Sequence, residues 1–204
     1  MGFDKISAEV VLLVEGPDDQ TVVSLLLSSI ATHWRPLIDV QAVADGGGLE
    51  AGLGALATVS GFDRVKKVAV LVDADQSPEE AHQRWARHKT EFAVNHAGKQ
   101  LSFCVLPSHT VKGALESLFL QSLNINDPGF TCVQALVACL GDHSTHTTQA
   151  QKDKLALTTY INSRVKNPYS RIGVALKQDA RALFDFKHPA FKPLVEFLED
   201  LIHV

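Results

Sequence analysis

Hydrophobic and polar positions along the first half of the chain fall into blocks whose lengths alternate between strand and helix. Residues 9–15, EVVLLVE, carry five consecutive apolar residues rich in valine and leucine, the pattern of a strand covered on both faces. Pro17 suits the first turn of a helix, and Asp18 and Asp19 suit the positive end of its dipole. Val22, Val23, Leu26, Leu27 and Ile30 then recur at helical spacing, predicting a helix to about Trp34. LIDVQAV (37–43) reads as a second strand, GGGLEAGLGALATVSGF (46–62) as a glycine-loosened helix, and KKVAVLVDAD (66–75) as a third strand. Ser77, Pro78 and Glu80 make a capping-box pattern ahead of a polar helix through about His96, and LSFCVLP (101–107) is the fourth strand. Alternation of this kind predicts a parallel sheet with flanking helices.

Beyond Pro107 the strands stop. GALESLFLQSL, TCVQALVACL, DKLALTTYINSRV and HPAFKPLVEFLEDLIHV all carry helical spacing, so an α/β core over residues 1–110 is expected to bear a helical extension over 111–204. That extension needs a sheet face to cover and is not expected to fold alone. The polar stretch GDHSTHTTQAQ (141–151) is the best candidate for a flexible loop. Cys104, Cys132 and Cys139 have no C-x-x-C spacing and sit in apolar runs, which predicts reduced core residues in a cytoplasmic protein. No charged leader opens the chain, and no apolar run approaches the roughly 18 residues of a membrane span. The formal charge of -4 over 204 residues argues against indiscriminate DNA packaging, but leaves room for a local basic strip.

The chemistry concentrates at strand ends. Glu15 ends the first strand and Asp73 and Asp75 end the third; in an open parallel sheet these ends share one edge, where ligands bind. Asp19 follows Glu15 by four residues, within the first helical turn above that edge. Converging carboxylates repel one another unless a hard divalent cation compensates, and magnesium, or manganese in its place, is the simplest occupant.

Glu15-Gly16 after the first strand and Asp73-Ala74-Asp75 after the third resemble the motifs of the Toprim domain, the fold shared by topoisomerases, bacterial primases and OLD-type nucleases. The likeness covers about the first 110 residues. Asp19, and Glu116 in the Gly-x-x-Glu setting of GALES, are similar to the OLD-type branch and its small stand-alone relatives. The resemblance implies a Toprim-like Rossmannoid fold of about four strands, Mg2+-dependent phosphodiester hydrolysis of DNA or RNA, and metal ligation by Glu15, Asp19, Asp73, Asp75 and Glu116. It also implies a lysine late in the domain, for which Lys152, Lys154, Lys166 and Lys177 are available; Lys154, at a helix start after the polar loop, is the first choice and Lys177 the second. OLD proteins carry an ATPase domain ahead of the Toprim segment, and the resemblance makes an ATPase a candidate protein partner, beside DNA or RNA.

Plainer readings accompany each feature. Asp18 reads as a helix cap, Glu116 equally as a ligand or a solvent-facing residue, and the glycines at 46–48 as a turn, lacking a Walker lysine. His143 and His146 read as a surface pair, without further zinc ligands at suitable spacing. Lys66, Lys67, Arg84, Arg87, Lys89, Arg164 and Arg171 read as solvated charges, or as phosphate contacts where they flank the carboxylate edge. Strand passage would need a nucleophilic tyrosine, and Tyr160 and Tyr169 both fall after the sheet; a primase would need a zinc module that is not seen. A non-catalytic Toprim module binding nucleic acid or a partner protein is the alternative, and a receiver-like phosphoacceptor at Asp73 the third reading.

Overall fold

A computed structural model describes the chain except residues 1, 2, 4, 44–46, 141–147, 167, 170, 179 and 204. The four apolar blocks form β1 (Val10–Val14), β2 (Ile38–Ala42), β3 (Lys67–Asp73) and β4 (Gln100–Leu106), all parallel, in the order β2-β1-β3-β4. They are linked through α1 (Pro17–Ile30), α2 (Gly48–Leu56) and α3 (Pro78–Asn95). The path from β1 to β2 and the path from β2 to β3 run in opposite directions across the sheet. Right-handed crossovers therefore send α1 to one face and α2 and α3 to the other.

Side chains of the two central strands alternate between those faces. Val10, Leu12 and Val14 join Val22, Val23 and Leu26 of α1, while Val11 and Leu13 join Leu56, Trp85 and Phe92. Every residue of β1 is buried, as a strand covered on both faces requires. The architecture is a Rossmannoid α/β sandwich, compatible at this level with a Toprim-like fold.

The helical region supplies α4 (Leu115–Gln121), α5 (Pro128–Leu140), α6 (Gln149–Arg164), α7 (Ile172–Lys177) and α8 (Lys192–Ile202). These helices lie on the α1 face: Leu118, Leu157, Leu176 and Leu198 share one apolar cluster with Val10, Leu12 and Val14. Phe119, fully buried, stands edge-on to Phe184 at 4.9 Å and to Phe191 at 5.1 Å between ring centroids. One ring thus binds the first helix of the layer to the segment that leads into the last.

Several local expectations are corrected. The helix expected over 46–62 stops at Leu56, and a 3-10 turn over Phe62–Arg64 follows Gly61. Gly61 has φ of 96°, and a Cβ there would overlap the carbonyl of Ile6, so the chain must turn at that point. The first helix ends at Ile30, short of Trp34. Ser77 does cap α3 by position, but its side chain makes no capping hydrogen bond. Cys104 is half-buried, whereas Cys132 and Cys139 are exposed. The reason is that α5 buries only Phe130 and Val133 fully, with Val137 half-buried against the core, and the cysteines fall on its outward side. The helix α7 was not anticipated. Residues 149–151 of the polar stretch open α6 behind Thr148 as its N-cap, and 141–147 lie outside the described residues. Among the described residues no helix is long and apolar enough to cross a membrane.

The Phe119 cluster makes a direct test of how the helical layer and the sheet unfold. Phe119→Ala removes a buried ring and should cost about 3–5 kcal/mol in urea unfolding, within a single transition. A loss below about 1 kcal/mol, or a separate early transition for the helices, would show that the ring cluster is not part of the cooperative core.

Candidate active site

The strand order reverses between β1 and β3, and in a sheet of this type the crevice for ligands opens there, outside the carboxyl ends of the strands. Glu15 is the residue after β1 and Asp73 the last residue of β3. Asp73 follows Ala69 and Leu71 on the α1 face, so its carboxyl group points toward the helical layer. There Leu115 N–H donates to Asp73 Oδ1 at 3.1 Å.

Asp75 does not extend the strand. Its φ is 49°, and its backbone exchanges two hydrogen bonds with Gly113: Asp75 N–H to the Gly113 carbonyl at 2.8 Å and Gly113 N–H to the Asp75 carbonyl at 3.0 Å. Gly113 has φ of 138°, and a Cβ on it would overlap Ser117 Oγ, so glycine is required on both counts. This pair of bonds sets α4 over the end of β3 and brings Glu116 above the aspartates. Ser117 Oγ accepts from Ala114 N–H at 3.0 Å and donates to the buried Asp153, whose other oxygen accepts from Gln149 Nε2 at 2.6 Å. That polar junction holds α6 against α4 and places Lys154 near Glu116.

Glu15, Asp18, Asp19, Asp73, Asp75 and Glu116 line one cavity of about 730 Å³ together with Lys154 and Arg171. A smaller recess of about 330 Å³ on the far side of Glu15, Asp73 and Asp75 is bounded by Gly47, Gly48 and Arg84. Of the late lysines proposed from the sequence, Lys154 lines the carboxylate cavity, Lys152 lines the neighbouring one, and Lys166 and Lys177 line neither. Tyr160 donates its hydroxyl to Asp127 at 3.2 Å and Tyr169 to Gln178 at 2.8 Å; neither lines the carboxylate cavity. His143, His146 and Gly46 lie outside the described residues.

Asp18 departs from its expected role. Its Oδ1 pairs with Arg171 at 3.2 Å and accepts from Gly173 N–H at 3.2 Å, so it fastens α7 to α1. A Cβ on Gly173 would come within 2.8 Å of that oxygen, which is why the approach needs glycine. The capping role at α1 falls to Asp19, whose Oδ2 accepts from Gly16 N–H at 2.9 Å. Arg171, open from the sequence between a solvated charge and a phosphate contact, lines the carboxylate cavity.

The electrostatics record six carboxyl groups facing two cations. Burial first, then Glu116, Glu15 and Asp18, pushes Asp19 up to about 7 against the opposing bond from Gly16. Asp73 is raised well above the usual carboxylate range, first by burial and then by Asp19, Glu116, Glu15 and Asp75. Burial also raises Glu116, with Lys154 opposing. The donors are all hard oxygens with unbalanced charge, which suits magnesium, manganese or calcium and not a soft metal. Among the described residues no three His, Cys, Asp or Glu side chains stand close enough, as placed, to hold an ion. Asp19 and Asp73 each give an oxygen to a backbone N–H.

A family model described as "Protein of unknown function (DUF3226)" matches residues 9–203. The chain belongs to that family. The DUF3226 match spans the sheet and the helical layer alike, so Glu15, the aspartates, Glu116, Lys154 and Arg171 all lie within it. No curated protein and no solved structure matches the chain. Likeness to the Toprim and OLD-type proteins therefore rests on the motif residues and the general fold.

The raised carboxyl groups fix the sign of a pH effect. A carboxyl whose folded pKa lies above its unfolded value contributes stability at low pH that is lost as pH rises through the folded value. For Asp19 the window runs from 3.8 to about 7. In chelator, the wild-type chain should lose stability between pH 5 and pH 7.5, by about 1–3 kcal/mol more than Asp19→Asn loses. Millimolar manganese should remove most of that difference by compensating the charge. Parallel pH profiles for the two chains in chelator would refute the assignment.

Proposed function

We propose that the chain is a metal-dependent phosphodiesterase acting on nucleic acid, a nuclease of the Toprim and OLD-like kind. The observation that carries the reading is the gathering of Glu15, Asp19, Asp73, Asp75 and Glu116 with Lys154 around one cavity at the sheet's switch point. Glu15, Asp73 and Asp75 would hold one divalent ion, and Asp19 and Glu116 a second. Such ions supply a water activated for attack and charge compensation on the phosphate and the leaving oxygen.

The chain's own groups have separable tasks. Lys154 offers an ammonium to a non-bridging phosphate oxygen, where negative charge grows during attack. Arg171 keeps Asp18 paired and adds a second positive charge to the cavity wall for a neighbouring phosphate. The bonds from Gly16 and Leu115 orient Asp19 and Asp73, leaving one oxygen of each for ligation. Arg84, across the carboxylate ridge, marks the direction in which a strand would continue.

The lack of three ready-placed ligands among the described residues favours a second reading, a module that binds nucleic acid or a protein such as an ATPase without cutting. Incubation of single-stranded and duplex DNA and RNA with magnesium or manganese separates the two. Wild type is expected to cleave at least one substrate, Asp73→Asn to abolish cleavage, and Lys154→Met to slow it by about 10²–10³-fold. Undiminished cleavage by Glu116→Gln would remove that residue as a ligand. Binding without cleavage by pure wild type, in either metal, would leave the module reading standing.

A further inference from the structure

Beside the carboxylate cavity lies a larger one, of about 850 Å³, between α4, α5 and α6. The same two helices serve both. On α4, Glu116 faces the carboxylate cavity and Ser117 the other; on α6, Lys154 faces the first and Lys152 and Asp153 the second. We propose that this second cavity binds a nucleobase of the strand whose phosphate occupies the carboxylate cavity. The proposal rests on the nucleic-acid reading above and deepens it, by naming an unstacked single-stranded nucleotide as the substrate element.

Its lining matches a base better than an apolar peptide. Leu120, Phe130 and Val137 give apolar walls, and the exposed Ile125 forms an apolar lip, 76% accessible. The floor is polar, built on the buried Asp153 with Ser117 and Gln149 bonded to it, which a hydrophobic helix would leave poorly matched. Gln121 and Gln134 line the same space, and their side-chain amides make no hydrogen bond among the described residues. An amide offers both donor and acceptor and can turn to meet the edge of any base. Lys112 and Lys152 join them, neither in an ion pair among the described residues, and both suit the sugar–phosphate that follows the base. The volume falls within the roughly 300–1,000 Å³ of small-ligand sites. Apolar walls, free amides and unpaired cations together select a flat, polar-edged, anionic ligand.

The test uses the full chain with manganese, which compensates the carboxylates, and strands with nuclease-resistant phosphorothioate linkages, so that nothing is cut. Two single-stranded DNA pentamers serve as probes, one with a central 2-aminopurine and one abasic at that position. Wild type should bind the first about tenfold more tightly, as stacking of one base warrants, and 2-aminopurine fluorescence should rise as the base leaves its neighbours. Ala138→Phe, which fills the cavity from an exposed position of α5, should erase the preference while manganese affinity at the carboxylates stays unchanged. Gln134→Ala, also exposed, should reduce it several-fold. Equal binding of both pentamers by wild type overturns the proposal, as does a preference that survives Ala138→Phe. Self-association in sedimentation that Ala138→Phe abolishes, without base preference, would also overturn it and assign the cavity to a second copy of the chain. Base preference without metal-dependent cleavage sinks the nuclease reading alone; cleavage of abasic and intact strands at equal rate and affinity sinks this one alone.

Discussion

The two backbone hydrogen bonds between Asp75 and Gly113 decide where the second half of the chain goes. They exist because Asp75 leaves the strand in a left-handed turn and because Gly113 adopts an angle closed to other residues. Once they form, α4 starts directly above the end of β3, its N–H at Leu115 reaches Asp73, and Ser117 can engage Asp153 on α6. Without that tether only the Leu115–Asp73 bond and the packing of α4 against the sheet would hold Glu116 over the strand end. The site is therefore a product of one turn and its neighbours more than of any individual carboxylate.

Electrostatics works against the same arrangement. Six carboxyl groups in one cavity, two of them strongly raised by burial and by each other, make the metal-free site an unfavourable place for charge. Packing carries the cost: the apolar cluster that joins Leu12 and Leu26 to Leu157 and Leu198 is far larger than the polar region it supports. Tolerated repulsion of this sort is characteristic of sites whose charge is meant to meet a ligand.

What could be read from sequence divides along a physical line. β1 and β3 were legible because strands buried on both faces need unbroken apolar runs, and their ends carry Glu15, Asp73 and Asp75 in plain view. The placement of Glu116 was half legible, since Gly113 three residues earlier signals a special backbone but not its partner. Arg171 and Asp18 were not, because their pairing joins positions 153 residues apart and neither has a local pattern that announces it. The cysteines misled for a related reason: an apolar run on a helix says which residues can be buried, while the neighbours decide which are, and α5 has few. Ser77 likewise has the right spacing for a capping box, but its backbone angles take the hydroxyl out of reach of the bond.

That sparse burial of α5 has a dynamic side. The helix is pinned at its start, where Asp127 accepts from the Gly129 and Phe130 N–H groups and pairs with Arg164, while along its length Phe130 and Val133 are buried and Val137 packs half-buried against the core. A helix held mainly at one end opens locally for much less free energy than the whole fold costs to unfold. Its amide hydrogens beyond Val133 should exchange with solvent ahead of those in α4 and α6, and the wall it forms works as a leaf hinged at Asp127, able to widen the space beside Asp153 without disturbing the sheet.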